Sequence, residues 1–114
     1  MKIKTSELTD AALDWAVAKC EGNKIVIRKG YLWIPTECYS TNWAQGGPII
    51  EREKITLEYR AQFSWWVAYI NGGNDDTEVG CTGPTPLIAA MRCYVASKLG
   101  DEVEVPEELC HGQA

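Results

Sequence analysis

Apolar residues recur along the chain with two different periods, and these divide it into helical and extended segments. Leu13/Val17 and Ala12/Ala16/Cys20 repeat at the i, i+4 interval of a helix that buries one stripe. Ser6 and Thr9 are candidate N-caps, Asp10 and Asp14 complement the positive end of the helix dipole, and Gly22 supplies a stop. A first helix is therefore predicted from Ser6 or Thr9 to Lys19. Leu87, Met91, Val95 and Leu99 form a second, unbroken stripe, widened by Ile88. Thr85 as N-cap, Pro86 at the first helical position and Gly100 beyond the end bound that helix.

Period-two and β-branched runs mark the strands. Residues 24–28 and 31–34 flank Lys29-Gly30 at hairpin spacing, and 55–59 alternates. Residues 63–70 place Trp65, Val67 and Tyr69 on one face and Trp66, Ala68 and Ile70 on the other, which predicts a strand covered on both faces. Val103 and Val105 alternate with acids before Pro106 closes a short edge strand. The fold class that follows is α+β, a small, mostly antiparallel sheet with two main helices packed against it. Residues 1–106 form one domain, and 107–114 a mobile, dispensable acidic tail. Two stretches fit neither period. Residues 35–48 and 71–84 read as loops, and loops longer than about 12–15 residues in so small a domain are usually functional or disordered.

Composition narrows the partners. A chain of 114 residues with 46% hydrophobic positions can close a core without staples. It contains no apolar run long enough to cross a membrane and no apolar signal-peptide core. Of the net charge of −5, all is accounted for by residues 101–114, which carry Asp101, Glu102, Glu104, Glu107 and Glu108 and no base. No basic run or helix face stands out, so neither double-stranded nucleic acid nor a membrane is an expected partner. The five scattered cysteines read as reduced thiols rather than a disulfide framework.

Catalytic chemistry finds little to use. The single histidine, His111, lies four residues from the end, where no base can be held against a nucleophile. The cysteines lack zinc-ligand spacing. Asp75, Asp76 and Glu78 lack the spacing of a calcium loop and read as a solvated turn. The expectation is a protein that is not an enzyme and takes no cofactor or metal. Neither phosphate-loop pattern occurs. Thr82-Gly83-Pro84-Thr85 runs into the second helix, where free amides and the dipole can attract an anion, although Pro84 and Pro86 remove two donors and a plain N-cap is the simpler account. The aromatics are unusual: five Trp and five Tyr against one Phe. Buried Trp and Tyr must satisfy a polar atom, and both are favoured where one side packs and the other meets a ligand. Trp15, Trp33 and one of Trp65/Trp66 suit a core; Trp43, in a Gly/Pro-rich stretch, does not.

The segments Glu7-Leu8-Thr9, Leu13-Asp14-Trp15-Ala16-Val17-Ala18, Asn42-Trp43-Ala44-Gln45-Gly46-Gly47-Pro48-Ile49-Ile50-Glu51 and Gly83-Pro84-Thr85-Pro86-Leu87-Ile88-Ala89-Ala90-Met91-Arg92 resemble the NinX family of lambdoid bacteriophage accessory proteins. The likeness runs from residue 1 to Leu109. It implies a phage protein acting in the host bacterial cytoplasm, and carries no catalytic residues with it. By analogy of lifestyle, such a protein can sequester a nucleotide signal of bacterial immunity. The resulting expectation is a small phosphorylated ligand, a nucleotide above all, bound by Asn42, Trp43, Gln45, Gly46, Gly47, Thr82, Gly83, Thr85 and Arg92. Trp43 would stack, the Thr82–Thr85 segment would approach phosphate and Arg92 would neutralise it. The alternative is a protein-interaction module that inhibits or redirects a host or phage enzyme, with Trp43 as its hot spot. A homo-oligomer is compatible with both. Either way the Trp43 segment and the start of the second helix should lie side by side.

Overall fold

The helix that follows Thr85 is the element around which the others are arranged, because its apolar residues occupy every face. In the computed structural model, residues 2–22, 26–28, 31–33, 38–70 and 79–105 are described. They form β1 (Lys2–Lys4), a one-turn 3-10 helix (Thr5–Glu7), α1 (Asp10–Cys20), β2 (Val26–Arg28), β3 (Tyr31–Trp33), α2 (Trp43–Glu53), β4 (Thr56–Arg60), β5 (Trp65–Ile70), β6 (Val79–Gly83), α3 (Pro86–Leu99) and β7 (Glu102–Glu104). Thr85 is extended and its Oγ1 accepts the Ile88 N–H at 3.1 Å; Pro86 opens the helix, and Gly100 at φ +87° ends it. Leu87 and every residue from Ala89 to Val95 are buried. A helix buried all round belongs inside a domain. Accordingly α3 lies between the antiparallel sheet β4-β5-β6 and the helices α1 and α2. The fold is α+β, with every strand pair among the described residues antiparallel.

The sequence reading assigned neither β1 nor the 3-10 turn after it, and it read α2 and β6 as loop. Residues 43–53 are helical, although Gly46-Gly47-Pro48 reads as loop and Pro48 removes the N–H that would reach the Ala44 carbonyl. Asn42 compensates at the start, its Oδ1 accepting the Ala44 N–H at 2.9 Å, and burial of Gly46 and Ile49 against the core holds the rest. At the far end Lys54 takes the left-handed conformation (φ 55°), and the Ile55 N–H returns to the Ile50 carbonyl at 3.0 Å. Residues 79–83 are a strand, not loop, and their small side chains explain both the missed periodicity and the packing. A Cβ on Gly83 would lie 2.7 Å from the Ala89 nitrogen, so only glycine lets the sheet approach α3 so closely.

Other expectations need adjustment. Helix α3 packs along the sheet on β5 and β6, and its first stripe residue also meets α2. Leu87 packs on α2 at Gly46, while Ile88 and Ala89 meet Gly83 and Arg92 meets Thr82. Strand β5 is covered on one face. Ala68 and Ile70 are buried towards α3, whereas Trp65 on the opposite face is 40% exposed. The predicted hairpin is present as β2 and β3 in register Val26↔Trp33. The Val103 strand pairs with β1 as β7. The turn at Asp75, Asp76 and Glu78, the tail 107–114 and His111 lie outside the described residues.

Two polar ties join distant parts of the chain. Thr5, buried, donates its Oγ1 hydrogen to the Gly100 carbonyl (2.6 Å) and its N–H to the Asp101 carbonyl (2.7 Å), beside the β1–β7 ladder. At the opposite end of α2, Arg52 donates to both oxygens of Glu21 (3.1 and 2.7 Å), and the Tyr94 hydroxyl donates to Glu21 Oε2 at 2.5 Å. The ends of α1 and α2 and the middle of α3 are thereby linked.

Candidate functional site

The starts of α2 and α3 face each other across a groove of about 230 Å³. Its walls are Trp43 on one side and Pro86, Leu87 and Ile88 on the other; Ser40, Thr41 and Thr85 supply the polar part. Local structure sets this arrangement. The turn before α2 closes with the Asn42 N–H on the Cys38 carbonyl (2.8 Å), and the Cys38 N–H donates to Gln45 Oε1. The Ser40 N–H donates to Asp14 Oδ1 at 2.8 Å, which anchors the turn on α1. Gly46 then allows α2 to reach α3, since a Cβ there would sit 2.6 Å from Leu87 Cδ1 and would also collide with the Tyr39 carbonyl.

Within this groove Trp43 is 53% exposed, although it is a large apolar side chain on a helix whose neighbours at Gly46 and Ile49 are buried. Ser40 is the opposite case. It is 2% exposed, and its Oγ, with both a donor and an acceptor to place, has no hydrogen-bond partner. An unsatisfied buried hydroxyl costs about 1–3 kcal/mol, so a hydroxyl left in this state next to a groove marks a place where an incoming polar atom gains more than on open surface.

The structure brings together Trp43 and Thr85 of the expected site and separates the rest by role. Asn42 caps α2, Gln45 holds the preceding turn, and Gly46 is packed rather than open. Gly47 is half-buried beside the Trp43 ring, its Cβ position 3.9 Å from Cε3. Thr82 and Gly83 are paired with Val67 and Trp66 in the sheet. Arg92 is not brought to the groove. It is 8% exposed, with Nε donating to the Leu8 carbonyl at 2.8 Å and Nη1 to the Thr82 carbonyl at 2.9 Å, and burial pulls its pKa below the ordinary arginine value. Its role is to tie α3 to the segment before α1 and to β6.

The start of α3 is likewise poor in free donors. Pro86 has no N–H, the Ile88 N–H is taken by Thr85 Oγ1, and the Ala89 N–H is taken by the Thr85 carbonyl at 3.0 Å. No Lys or Arg lines the groove. Sequence reading missed Ser40, Thr41 and the apolar wall Pro86–Ile88. The wall was assigned to the core by its periodicity, and Ser40 resembled any loop serine.

A larger cleft of about 620 Å³ opens elsewhere, between Lys4–Ser6, Gly80, Cys81, Ala96 and Asp101–Glu102. The Thr5 hydroxyl on its wall is already bonded to Gly100, and burial pushes the Cys81 thiol above its usual range, which keeps it protonated. It holds neither an exposed aromatic nor a buried side-chain oxygen or nitrogen in want of a partner, so the smaller groove is the better candidate. Among the described residues no three His, Cys, Asp or Glu side chains converge as a metal site would need, and no helix is long and apolar enough to cross a membrane.

Residues 4–98 match the model of a protein family described as Bacteriophage P22, NinX, a span that includes both walls of the groove. No curated protein matches the chain.

Proposed function

Since the chain belongs to the NinX family of bacteriophage P22, we propose that it is a non-catalytic phage accessory protein that docks a partner protein, of the host or of the phage, at the Trp43 groove in the host cytoplasm. The observation that carries this reading is the pairing of a half-exposed tryptophan with an apolar wall and an unpartnered serine. Pockets for drug-sized ligands measure about 300–1,000 Å³, and this groove is smaller. It suits one apolar side chain bearing a polar tip, with the apolar part against Trp43 and Ile88 and the tip at the polar end formed by Ser40, Thr41 and Thr85. Aromatic anchors of this type dominate the energetics of protein interfaces. A phosphorylated ligand would need positive charge or free amides, and here Arg92 is engaged elsewhere and the α3 amides are largely spent.

Two measurements test this. A photo-crosslinking residue placed at Thr41 should trap one discrete protein during phage infection, and Trp43→Ala should abolish that product. Nucleotides and cyclic dinucleotides should leave the melting temperature unchanged. A concentration-dependent rise with a nucleotide, lost in Trp43→Ala, would replace the protein partner by a small ligand.

A further inference from the structure

Strand β4 is an edge of the three-stranded sheet, bonded to β5 on one side and to no strand on the other among the described residues. In an antiparallel sheet every second residue of an edge strand turns its N–H and C=O outward, and such a row invites another strand. Natural edges are blunted by proline, a bulge or charged side chains. β4 (Thr56-Leu57-Glu58-Tyr59-Arg60) has no proline, bulge or lysine over five residues in unbroken register, and its two charges, Glu58 and Arg60, are of opposite sign and so complement each other across a strand pair. Tyr59 stands 53% exposed there, 5.2 Å from the ring of Trp66, and Phe63 and Trp65 are stacked at 5.0 Å at the hairpin end.

We propose that two copies of the chain pair antiparallel along β4, about a two-fold axis at Tyr59, and continue the sheet from one copy into the other. The charge pattern selects this register. Glu58 and Arg60 flank Tyr59 on the same face of the strand, where they now form an ion pair at 2.8 Å within one chain. A two-fold axis at Tyr59 sets Glu58 of each copy opposite Arg60 of the other. An axis at Glu58 would instead oppose two carboxylates, which is destabilising. The chosen register also sets Tyr59 against its own copy, so that Trp66, Tyr59 and their two counterparts form a continuous aromatic row. Both copies present the same patch, as a closed two-fold dimer requires. A second copy is favoured over a peptide of unrelated sequence because the complement to the Glu58–Arg60 pattern is this strand itself. A five-residue edge makes a small interface, so the dimer belongs to the weak, concentration-dependent class.

Sedimentation velocity of the full chain in reductant, over a concentration series, reads the result. The wild type should shift from monomer to dimer. Glu58→Arg and Arg60→Glu should each be monomeric, because each opposes like charges twice. An equimolar mixture of the two should recover a mixed dimer, and the double exchange Glu58→Arg/Arg60→Glu should dimerise as the wild type does. These last two arms separate lost pairing from lost folding. A wild type that stays monomeric throughout, or a dimer indifferent to both single variants, overturns the proposal. Neither side chain lines the Trp43 groove, so loss of this dimer leaves docking at the groove intact.

Discussion

Helices α2 and α3 meet at the same groove and begin in the same way, each with a side chain that takes a backbone N–H of its first turn, yet they are held by different forces. Asn42 caps α2 and Thr85 caps α3. Beyond that point α3 is buried from Leu87 through Val95 except at Ile88, while α2 buries only Gly46 and Ile49 and carries Gly46, Gly47 and Pro48 inside it. Intrinsic propensity would stop α2, and it exists because tertiary packing overrides propensity. The contrast separates two tasks. Helix α3 supplies a fixed wall and the centre of the buried core, and α2 presents Trp43 from a framework that the core needs only at two positions.

The largest effect should come from the buried helix. Met91 is fully buried, and Met91→Ala should cost about 2–5 kcal/mol in urea unfolding. A loss below about 0.5 kcal/mol, the range of surface substitutions, would remove α3 from the centre of the fold. Next comes Arg92→Met, which leaves the Leu8 and Thr82 carbonyls without their donor. A cost of about 1–3 kcal/mol in the same assay, with the Thr41 crosslink unchanged, is expected. Loss of the crosslink at unchanged stability would return Arg92 to the binding site.

A smaller effect should appear where α2 is tied to α1 and α3. The Arg52 hydrogen bonds, with a further one from Tyr94 and against some burial, hold the Glu21 carboxyl below its ordinary pKa of 4.5. A depressed folded pKa contributes stability above the ordinary value, and that contribution fades as pH falls through the depressed one. Glu21→Gln should therefore cost about 1 kcal/mol or less at pH 7, since Arg52 is half-exposed and solvent screens the pair. The difference from the wild type should close below pH 4.5. A gap that persists there would assign the stabilisation to packing. Trp43→Ala should have the smallest effect on stability, within about 0.5 kcal/mol, while removing partner docking. A larger loss of stability would mean that α2 depends on its tryptophan and that the two tasks are not separate.

Much of the fold could be read from local chemistry. Thr85, Pro86 and Gly100 mark α3 unambiguously, and the stripe through Leu13 and Val17 with Gly22 at φ +82° marks α1. What could not be read depended on partners in other elements of the fold. Gly46 and Gly83 break the local patterns of a helix and a strand for the sake of close approach to Leu87 and Ala89, some 41 and 6 positions on, and a glycine carries no sign of what it is close to. The site was half legible for the same reason. Trp43 stood out because no periodic stripe claimed it. Arg92 looked like a phosphate ligand because its residue type advertises charge, whereas its burial against the Leu8 and Thr82 carbonyls is a property of the assembled core. Ser40 became visible only when its hydroxyl proved to be without a partner.

The clasp of Thr5 on Gly100 and Asp101 has a consequence for how the chain comes into being. Thr5 and Gly100 are separated by 95 positions in sequence, and the β1–β7 ladder joins the same two ends. A ribosome releases β1 first, and it has no strand to pair with until β7 has emerged. Leu8 likewise waits for Arg92. The nascent chain is thus a set of local pieces, α1 and the β4–β5 hairpin among them, whose closure awaits the emergence of β7, and contacts of such span slow folding by the loop they must close. Truncated chains that end before residue 101 should accumulate as open species, with the Ile3 side of the core exposed to proteases.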